Sequence, residues 1–407
     1  MPRWPLPKLL LAIGATLLIL GAVAGGTHYY FYARLARDTG LTAPWRQLVA
    51  WGLVVLALSI PLSFFLQRAL SPGVARVALL PTYLWMGLMF LLLLGLGAAD
   101  AVRALWSAVA QWLPPGAAPP SDPARRLFLA RAVNGGAALA AAAAGSWGHV
   151  AARGAAGVKD VRVEVPRLPR ALDGTIIAQL SDLHVGPTLG RAWMEDVVRR
   201  TNALAPHLVA VTGDLVDGSV QKLRPLVEPL AALRAPWGVY FVTGNHEYYS
   251  GADAWCAELE RMGIRVLRNA RAAVGPEGGP TFDLAGVDDH EGRGFAGGEG
   301  GGPDLARALA GRDPTRALVL LAHQPKAVYQ AAAAGVGLQL SGHTHGGQIW
   351  PFRYIVRLTQ PYVEGLHLHD GTWVYVSSGT GFWGPPMRLG APAEITRVTL
   401  NAPPGAA

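Results

Sequence analysis

The sequence predicts an α/β domain preceded by an all-α transmembrane region, and three observations carry that prediction. Long uncharged apolar runs recur before residue 152, and a mean hydropathy of +0.27 over 407 residues is too high for a chain lying wholly in water. From residue 161 onward the texture changes to short apolar strands alternating with amphipathic helices. Polar residues of metal-ligand type then cluster directly after those strands, where α/β sheets build sites.

Residues 1–152 hold four apolar runs, at 9–32, 47–67, 77–99 and 128–152, each meeting the roughly 20 residues that a spanning helix needs. Tyr29, Tyr30, Tyr32 and Trp45 stand near run ends, as interfacial aromatics do. A cleaved signal peptide would account for the first run but not for the next two. Before the fourth, Arg125 and Arg126 open the order Arg-Arg-Leu-Phe-Leu, which resembles a twin-arginine export signal embedded mid-chain. The net charge of +8 belongs to this region, which carries 11 Lys plus Arg against 3 Asp plus Glu; the remaining 255 residues carry 24 of each. Basic residues beside apolar spans set membrane orientation, so the charge does not point to a nucleic-acid surface. The loops before the second and fourth runs carry Arg34, Arg37, Arg46, Arg103, Arg125 and Arg126, against Arg3, Lys8, Arg68 and Arg76 on the opposite side. That imbalance predicts a multi-pass protein of the cell membrane with its α/β domain outside the cytoplasm, the lipid bilayer being its first partner. The single cysteine, Cys256, excludes an internal disulfide and says nothing about compartment.

Residues 153–171 read as a linker and 172–402 as the α/β domain. Strands are predicted at 174–180, 207–212, 237–243, 281–287, 317–322 and 372–377, and helices at 191–204, 252–262, 304–310 and 325–334. Residues 294–303, with six glycines in ten, read as a flexible loop.

The strand exits hold Asp182 and His184, then Asp214, then Asn245, His246 and Glu247, then His323, and finally His343 and His345. The last two are two residues apart, so both project to one side of an extended segment. Gly342, Gly346 and Gly347 let the backbone around them bend closely about an ion. Taken singly, Asp182 or Asp214 reads as a helix cap and Asn245 as a turn residue. Jointly that reading fails, because so many unpaired polar groups at the ends of buried strands are costly without a shared ligand.

This series of Asp-x-His, Gly-Asp, Gly-Asn-His-Glu, His and Gly-His-x-His resembles the calcineurin-like metallophosphoesterase superfamily, complete and in order over about residues 175–348. The layout to residue 400 is similar to the membrane-linked bacterial branch. The resemblance implies a four-layer αββα sandwich holding two divalent metal ions, with Asp182, His184 and His345 on one, Asn245, His323 and His343 on the other, and Asp214 bridging. It implies a metal-dependent phosphoric ester hydrolase acting on a phosphodiester, phosphomonoester or pyrophosphate. The chemistry agrees, since a bridging carboxylate can hold two cations about 3.5–4 Å apart, a spacing that clamps a phosphoryl group and activates water, so no side-chain nucleophile is needed. Histidine and carboxylate donors without thiolate suit Mn, Fe or Zn. His246 is then the catalytic acid that protonates the leaving oxygen, with Asp214 as the shared metal ligand. Glu247 reads as a helix N-terminal acid, while His207, His290, His367 and His369 match no motif position.

The charge-balanced catalytic half argues against long nucleic acid, which calls for clustered Lys and Arg. A lipid or cell-envelope head group, or another phosphorylated small molecule, is the expected substrate. Residues 349–356 (Ile-Trp-Pro-Phe-Arg-Tyr-Ile-Val) and 381–386 put aromatics beside Arg353, Arg357 and Arg388, a composition suited to a membrane interface. A small-nucleotide phosphodiesterase or nuclease uses the same centre and stays open. So does a non-catalytic, metal-stabilised membrane sensor or scaffold, against which His246 argues.

Overall fold

A computed structural model describes residues 18, 21–112, 122–295 and 301–405. The chain divides into two compact units, one of Pro2–Leu70 with Val77–His149 and one of Ser71–Arg76 with Val150–Ala407.

The first unit is helical. Helix α1 (21–32) runs into a π-helical turn at Ala33–Arg37, followed by α2 (Trp45–Ala69), α4 (Leu80–Ala110) and α5 (Pro123–Arg153), while α3 (Pro72–Ala78) up to Arg76 and the end of α5 from Val150 belong to the second unit. Helices α2, α4 and α5 are long and apolar enough to cross a membrane. Helices α2 and α5 overrun the expected runs 47–67 and 128–152 at both ends because helix continues through the charged residues that bound them, whereas α4 begins at Leu80, three residues inside the run 77–99, and continues past Asp100 to Ala110. The expected run 9–32 is described at residue 18 and over 21–32, where it forms α1; residues 9–17, 19 and 20 lie outside the described residues. Within this unit Phe31, Leu53, Trp85, Leu92 and Leu96 form an apolar core. Asp100 accepts from Arg34 Nη2 (2.7 Å) and Tyr30 Oη (2.8 Å), so this carboxylate is paired within the helical unit.

The second unit is α/β. Strands β1 (Gly157–Glu164), β2 (Thr175–Leu180), β3 (Leu208–Thr212), β4 (Val239–Val242) and β5 (Arg265–Val266) share one sheet with the late strand β12 (Glu394–Asn401), in the order β1-β12-β2-β3-β4-β5. The other sheet joins β6 (Ala270–Val274), β7 (Phe282–Gly286), β8 (Leu318–Leu321), β9 (Leu338–Ser341), β10 (Gly365–His369) and β11 (Thr372–Val376), in the order β10-β11-β9-β8-β7-β6. The central strands are parallel and buried on both faces, which is why they read as continuous apolar runs rather than alternating ones.

Between the sheets, Ile177, Leu208, Tyr240 and Val242 meet Phe282, Leu284, Val319, Leu340 and Tyr375. On the outer face of the first sheet lie α6 (Arg191–Ala203), α7 (Val220–Val227) and α9 (Ala252–Arg261), reached through the short α8 (Asn245–Ser250), and Met194, Leu223 and Trp255 fill that layer. The single turn α10 (Gly292–Phe295) precedes α11 (Leu305–Leu309) and α12 (Val328–Ala333), which cover the second sheet through Ala308 and Ala331; α13 (Arg353–Val356) follows later. The unit is therefore the four-layer αββα sandwich. The glycine-rich stretch 294–303 falls partly on residues 296–300, outside the described residues.

Residues 153–171, expected as a linker, are not free chain. Residues 157–164 form β1, which pairs in parallel with β12 along its whole length, from Gly157 opposite Glu394 to Glu164 opposite Asn401. Neither strand carries a continuous apolar run, because β1 lies at the sheet edge with one face open, and alternation over so short a stretch is a weak signal. Phe282 is fully buried between the sheets. Replacing it by Ala should destabilise the sandwich by about 3–5 kcal/mol, the range for deleting a buried aromatic ring, seen as a lowered thermal midpoint of the detergent-solubilised protein.

Candidate metal centre

The loops leaving β2, β3, β4, β8 and β9 bring Asp182, His184, Asp214, Asn245, His323, His343 and His345 together at one end of the sandwich. To turn each side chain inward straight from a buried strand, the backbone takes the left-handed region at Asp182 (φ 53°), His184 (46°), Asp214 (52°), His343 (72°) and His345 (51°). Side chains bearing Cβ rarely adopt it, and such strain concentrates at functional sites. Two glycines make the approach of the loops feasible. A Cβ on Gly213, whose φ is 88°, would stand 2.7 Å from His323 Nδ1, and one on Gly342 would stand 2.2 Å from Asp182 Oδ2.

Three groups of donor atoms converge among the described residues, one from Asp182, His184 and His345, one from Asp214, His323 and His343, and a third that joins His184 to Asp217 and His246. The tautomers follow from the outer contacts. His323 Nδ1 faces the Thr212 carbonyl at 2.8 Å, which leaves Nε2 directed at Asp214 Oδ2 (3.1 Å) and Asn245 Oδ1 (3.2 Å). His184 Nδ1 faces the Asp217 carboxylate at 3.1 Å, so its Nε2 carries the lone pair; that atom lies 3.1 Å from His345 Nε2 and 3.7 Å from Asp214 Oδ2. Asp182 accepts from the His343 backbone N–H on both oxygens, and its Oδ1 is 3.4 Å from His345 Nε2.

This donor set fits divalent cations. Buried lone pairs from imidazole and carboxylate face one another with few hydrogens between them, and His345 Nδ1 is buried with no hydrogen-bond partner. Burial pushes His343 down to about 3, and burial, with the His184 ring stacked beside it, drives His345 well below its ordinary value, so both rings are neutral as ligands must be. Burial opposes a charge on His323 as well, but the Asp214 carboxylate prevails and raises it well above its ordinary value. A proton there stands where a cation would, and binding a metal must displace it.

Three residues that sequence reasoning did not place, or placed otherwise, complete the centre. Asp217 accepts from His246 Nδ1 at 2.6 Å as well as from His184; the signal available was its position three residues after Asp214 in Gly-Asp-Leu-Val-Asp. Burial would raise the Asp217 carboxyl, yet the hydrogen bonds and proximity of His184 and His246 hold it below the usual carboxylate range. Glu247 is the N-terminal acid expected, and more: it accepts from the backbone N–H of Gly244 (2.6 Å), Asp214 (3.0 Å) and Leu215 (2.8 Å), locking the β3 exit to the β4 exit. Arg388, expected at a lipid surface, is buried and donates instead to the carbonyls of Gly381, Ala391, Ser378 and Gly379. It fixes the 378–391 loop, whose Thr380 and Gly381 N–H groups bond the Ser181 and Asp182 carbonyls. His207 bonds the Ile176 backbone, while His367 and His369 pack on Tyr362, all away from the ligands.

Among known proteins, a family profile described as calcineurin-like phosphoesterase matches residues 175–347. A Bos taurus protein named as a transmembrane protein with metallophosphoesterase domain is 44% identical over 256 residues, covering 61% of this chain and 57% of its own length. The chain thus spans little more than half of that relative. An uncharacterized metallophosphoesterase of Aquifex aeolicus is 35% identical over 246 residues, covering 60% of this chain and 91% of its own length. A solved dimetal phosphatase from Danio rerio aligns at 14% identity and a TM-score of 0.34, over 52% of this chain and 88% of that one.

Removing Glu247 tests the lock between the two exits. Glu247→Ala strands three buried N–H groups at about 1–3 kcal/mol each, so it should destabilise the sandwich by about 3 kcal/mol or more and lower the bound metal measured by elemental analysis. Glu247→Gln, with a single acceptor oxygen, should fall between the two in both readouts.

Proposed function

Because the chain belongs to the calcineurin-like metallophosphoesterases, we propose that it is a membrane-anchored phosphoester hydrolase that holds two divalent cations. Asp182, His184 and His345 hold one, Asn245, His323 and His343 hold the other, and Asp214 is shared. The observation that carries this reading is the Asp214 carboxylate, whose Oδ2 faces His323 Nε2 at 3.1 Å in one ligand group and His184 Nε2 at 3.7 Å in the other. When bound, two such cations, Mn, Fe or Zn on this donor set, clamp the phosphoryl group, spread its charge and lower the pKa of water beside it.

The protein's own part in the proton economy falls to His246. Burial disfavours its charge, but in the metal-free protein Asp214 and the bonded Asp217 outweigh burial and bring it up to about 9, and the Asp217 carboxylate, which holds no cation in this reading, still supports a proton on the ring once Asp214 is shared. With Nδ1 fixed on Asp217, Nε2 is the nitrogen that can give a proton to the departing oxygen. Asp217 acts through His246 and His184 as a positioning residue. The substrate in this reading is a phosphoester or pyrophosphate on a lipid or cell-envelope head group. Support comes from the three helices of membrane-spanning length and from the balanced charge of the catalytic half, which offers no track for a nucleic-acid backbone.

Two measurements test the reading. Asp214→Ala should abolish both hydrolysis of bis(p-nitrophenyl) phosphate and metal loading, whereas His246→Ala should keep the metals and lose about 10²–10⁴-fold in turnover; full turnover in either variant refutes the assignment. The arginine imbalance across the spans supports, as part of this reading, an α/β unit outside the cytoplasm. Alkaline phosphatase fused after Ala407 should then be active and green fluorescent protein dark, and the opposite pair of results reverses the orientation.

A further inference from the structure

The rim of the metal centre is unusually apolar for a surface. Trp350 (55% exposed), Tyr354 (56%), Ile355 (52%), Leu358 (83%) and Trp383 (55%) stand out on it. Two segments form this rim, and they are stitched together. Gln348 Nε2 donates to the Trp383 and Pro385 carbonyls, Trp383 N–H donates to Gln348 Oε1 at 2.9 Å, and Trp350 N–H donates to Leu389 O at 2.8 Å. Trp383 also places its ring 5.8 Å from that of His246. Exposed apolar surface of this extent beside a site marks an interaction face.

Strand register shows which end of the unit carries that face. Strand β12 is antiparallel to β2, with Thr396 opposite Gln179 and Leu400 opposite Thr175, so Glu394 lies at the end where β2 delivers Asp182 and His184. Gly157 is paired with Glu394, so β1 enters the sheet at that same end. Only residues 154–156 separate it from the last residue of α5, Arg153, a reach of about 14 Å. Ala152, in the last turn of α5, packs with Leu189 and with Phe382, the neighbour of Trp383. Arg76 donates to Pro187 O in the same loop at 3.3 Å.

We propose that this rim is a seat on the bilayer, with Trp350, Tyr354, Ile355 and Leu358 entering the headgroup layer so that the metal centre opens onto phosphate esters at that depth. The composition suits lipid, because Trp and Tyr with aliphatic side chains favour the membrane interface. Covalent attachment at the same end, through a helix of spanning length, supplies the bilayer at high effective concentration. The seat is held by apolar insertion rather than by charge. Arg353 is paired with Glu364 at 2.8 Å and Arg388 is buried, which leaves Arg357, lying over the Tyr354 ring, as the cation of the rim segment 350–358. The inference rests on the phosphoester reading for the substrate it presents, and not for the seating itself.

The test uses the full chain reconstituted in phosphatidylcholine nanodiscs, with an environment-sensitive fluorophore on Leu358→Cys; the native Cys256 is buried. A matched label on Glu277→Cys sits in the β6–β7 turn, at the opposite end of the second sheet. The Leu358 label should be blue-shifted and quenched by nitroxide lipids while the Glu277 label stays aqueous. Its quenching should change less than about twofold with added phosphatidylserine or 0.5 M salt. In the unlabelled chain, Trp350→Ser with Ile355→Ser should lower the ratio of turnover on a bilayer-borne phosphodiester to that on a soluble p-nitrophenyl ester by about tenfold. A Leu358 label in water, or one shielded in detergent with increasing protein concentration, overturns the proposal, the latter in favour of a second copy of the chain. A shielded label on a protein that hydrolyses neither ester would overturn the phosphoester reading and leave the seat standing.

Discussion

The buried carboxylate of Asp214 is the constraint on which the α/β unit depends. A charge at 2% exposure survives only where opposite charge and hydrogen bonds offset the loss of water. Burial alone would raise it, yet His323 and His246 bring it well below its ordinary value. Its Oδ1 accepts from the His246 backbone N–H at 2.9 Å, and Glu247 holds its own N–H. The loops after β3, β4 and β8 therefore have a single common arrangement, set by one side chain. The first sheet supplies the carboxylates, Asn245 and His184, and the second supplies the remaining imidazoles, so the centre forms only when the two sheets are stacked in register.

That arrangement is maintained against backbone strain. Five of the seven convergent residues lie in the left-handed region, a conformation that would relax if the loops were free. They are not free, because each follows a strand whose side chains interdigitate in a fully buried inter-sheet layer. Arg388 adds a second restraint from behind, its guanidinium saturated by carbonyls of the loop that bonds Ser181 and Asp182. The rigidity of the sandwich is thereby transmitted to the donor atoms.

How much of this was legible in the sequence follows from which signals are local. The central strands announced themselves because parallel strands buried on both faces are continuous apolar runs, and the polar residues at their exits stood out against that background. Strands β1 and β12 did not, since the partner of each is more than two hundred residues away and an edge position needs no apolar run. Asp217 lay in plain view beside Asp214, but nothing in one sequence says that its carboxylate turns toward two imidazoles rather than to water. Arg388 was misjudged for the opposite reason. Neighbouring aromatics suggested a wet, cationic surface, whereas a cage of five backbone carbonyl contacts within one loop has no signature in residue type.

The pairing of β1 with β12 bears on how the protein is made. The strand nearest the last long helix emerges early in synthesis, yet its partner lies 237 residues further on, as the contact between Asp160 and Arg397 records. Until that segment arrives, β2 has an open edge and β1 has nothing to pair with, so the first sheet closes by a contact of very high sequence separation, the slow kind of folding event. Unpaired strand edges in a waiting chain are prone to pair with other chains. A chain still waiting for β12 therefore carries an open β2 edge and an unpaired β1, and its first sheet is complete only when the last strand of the unit has joined it.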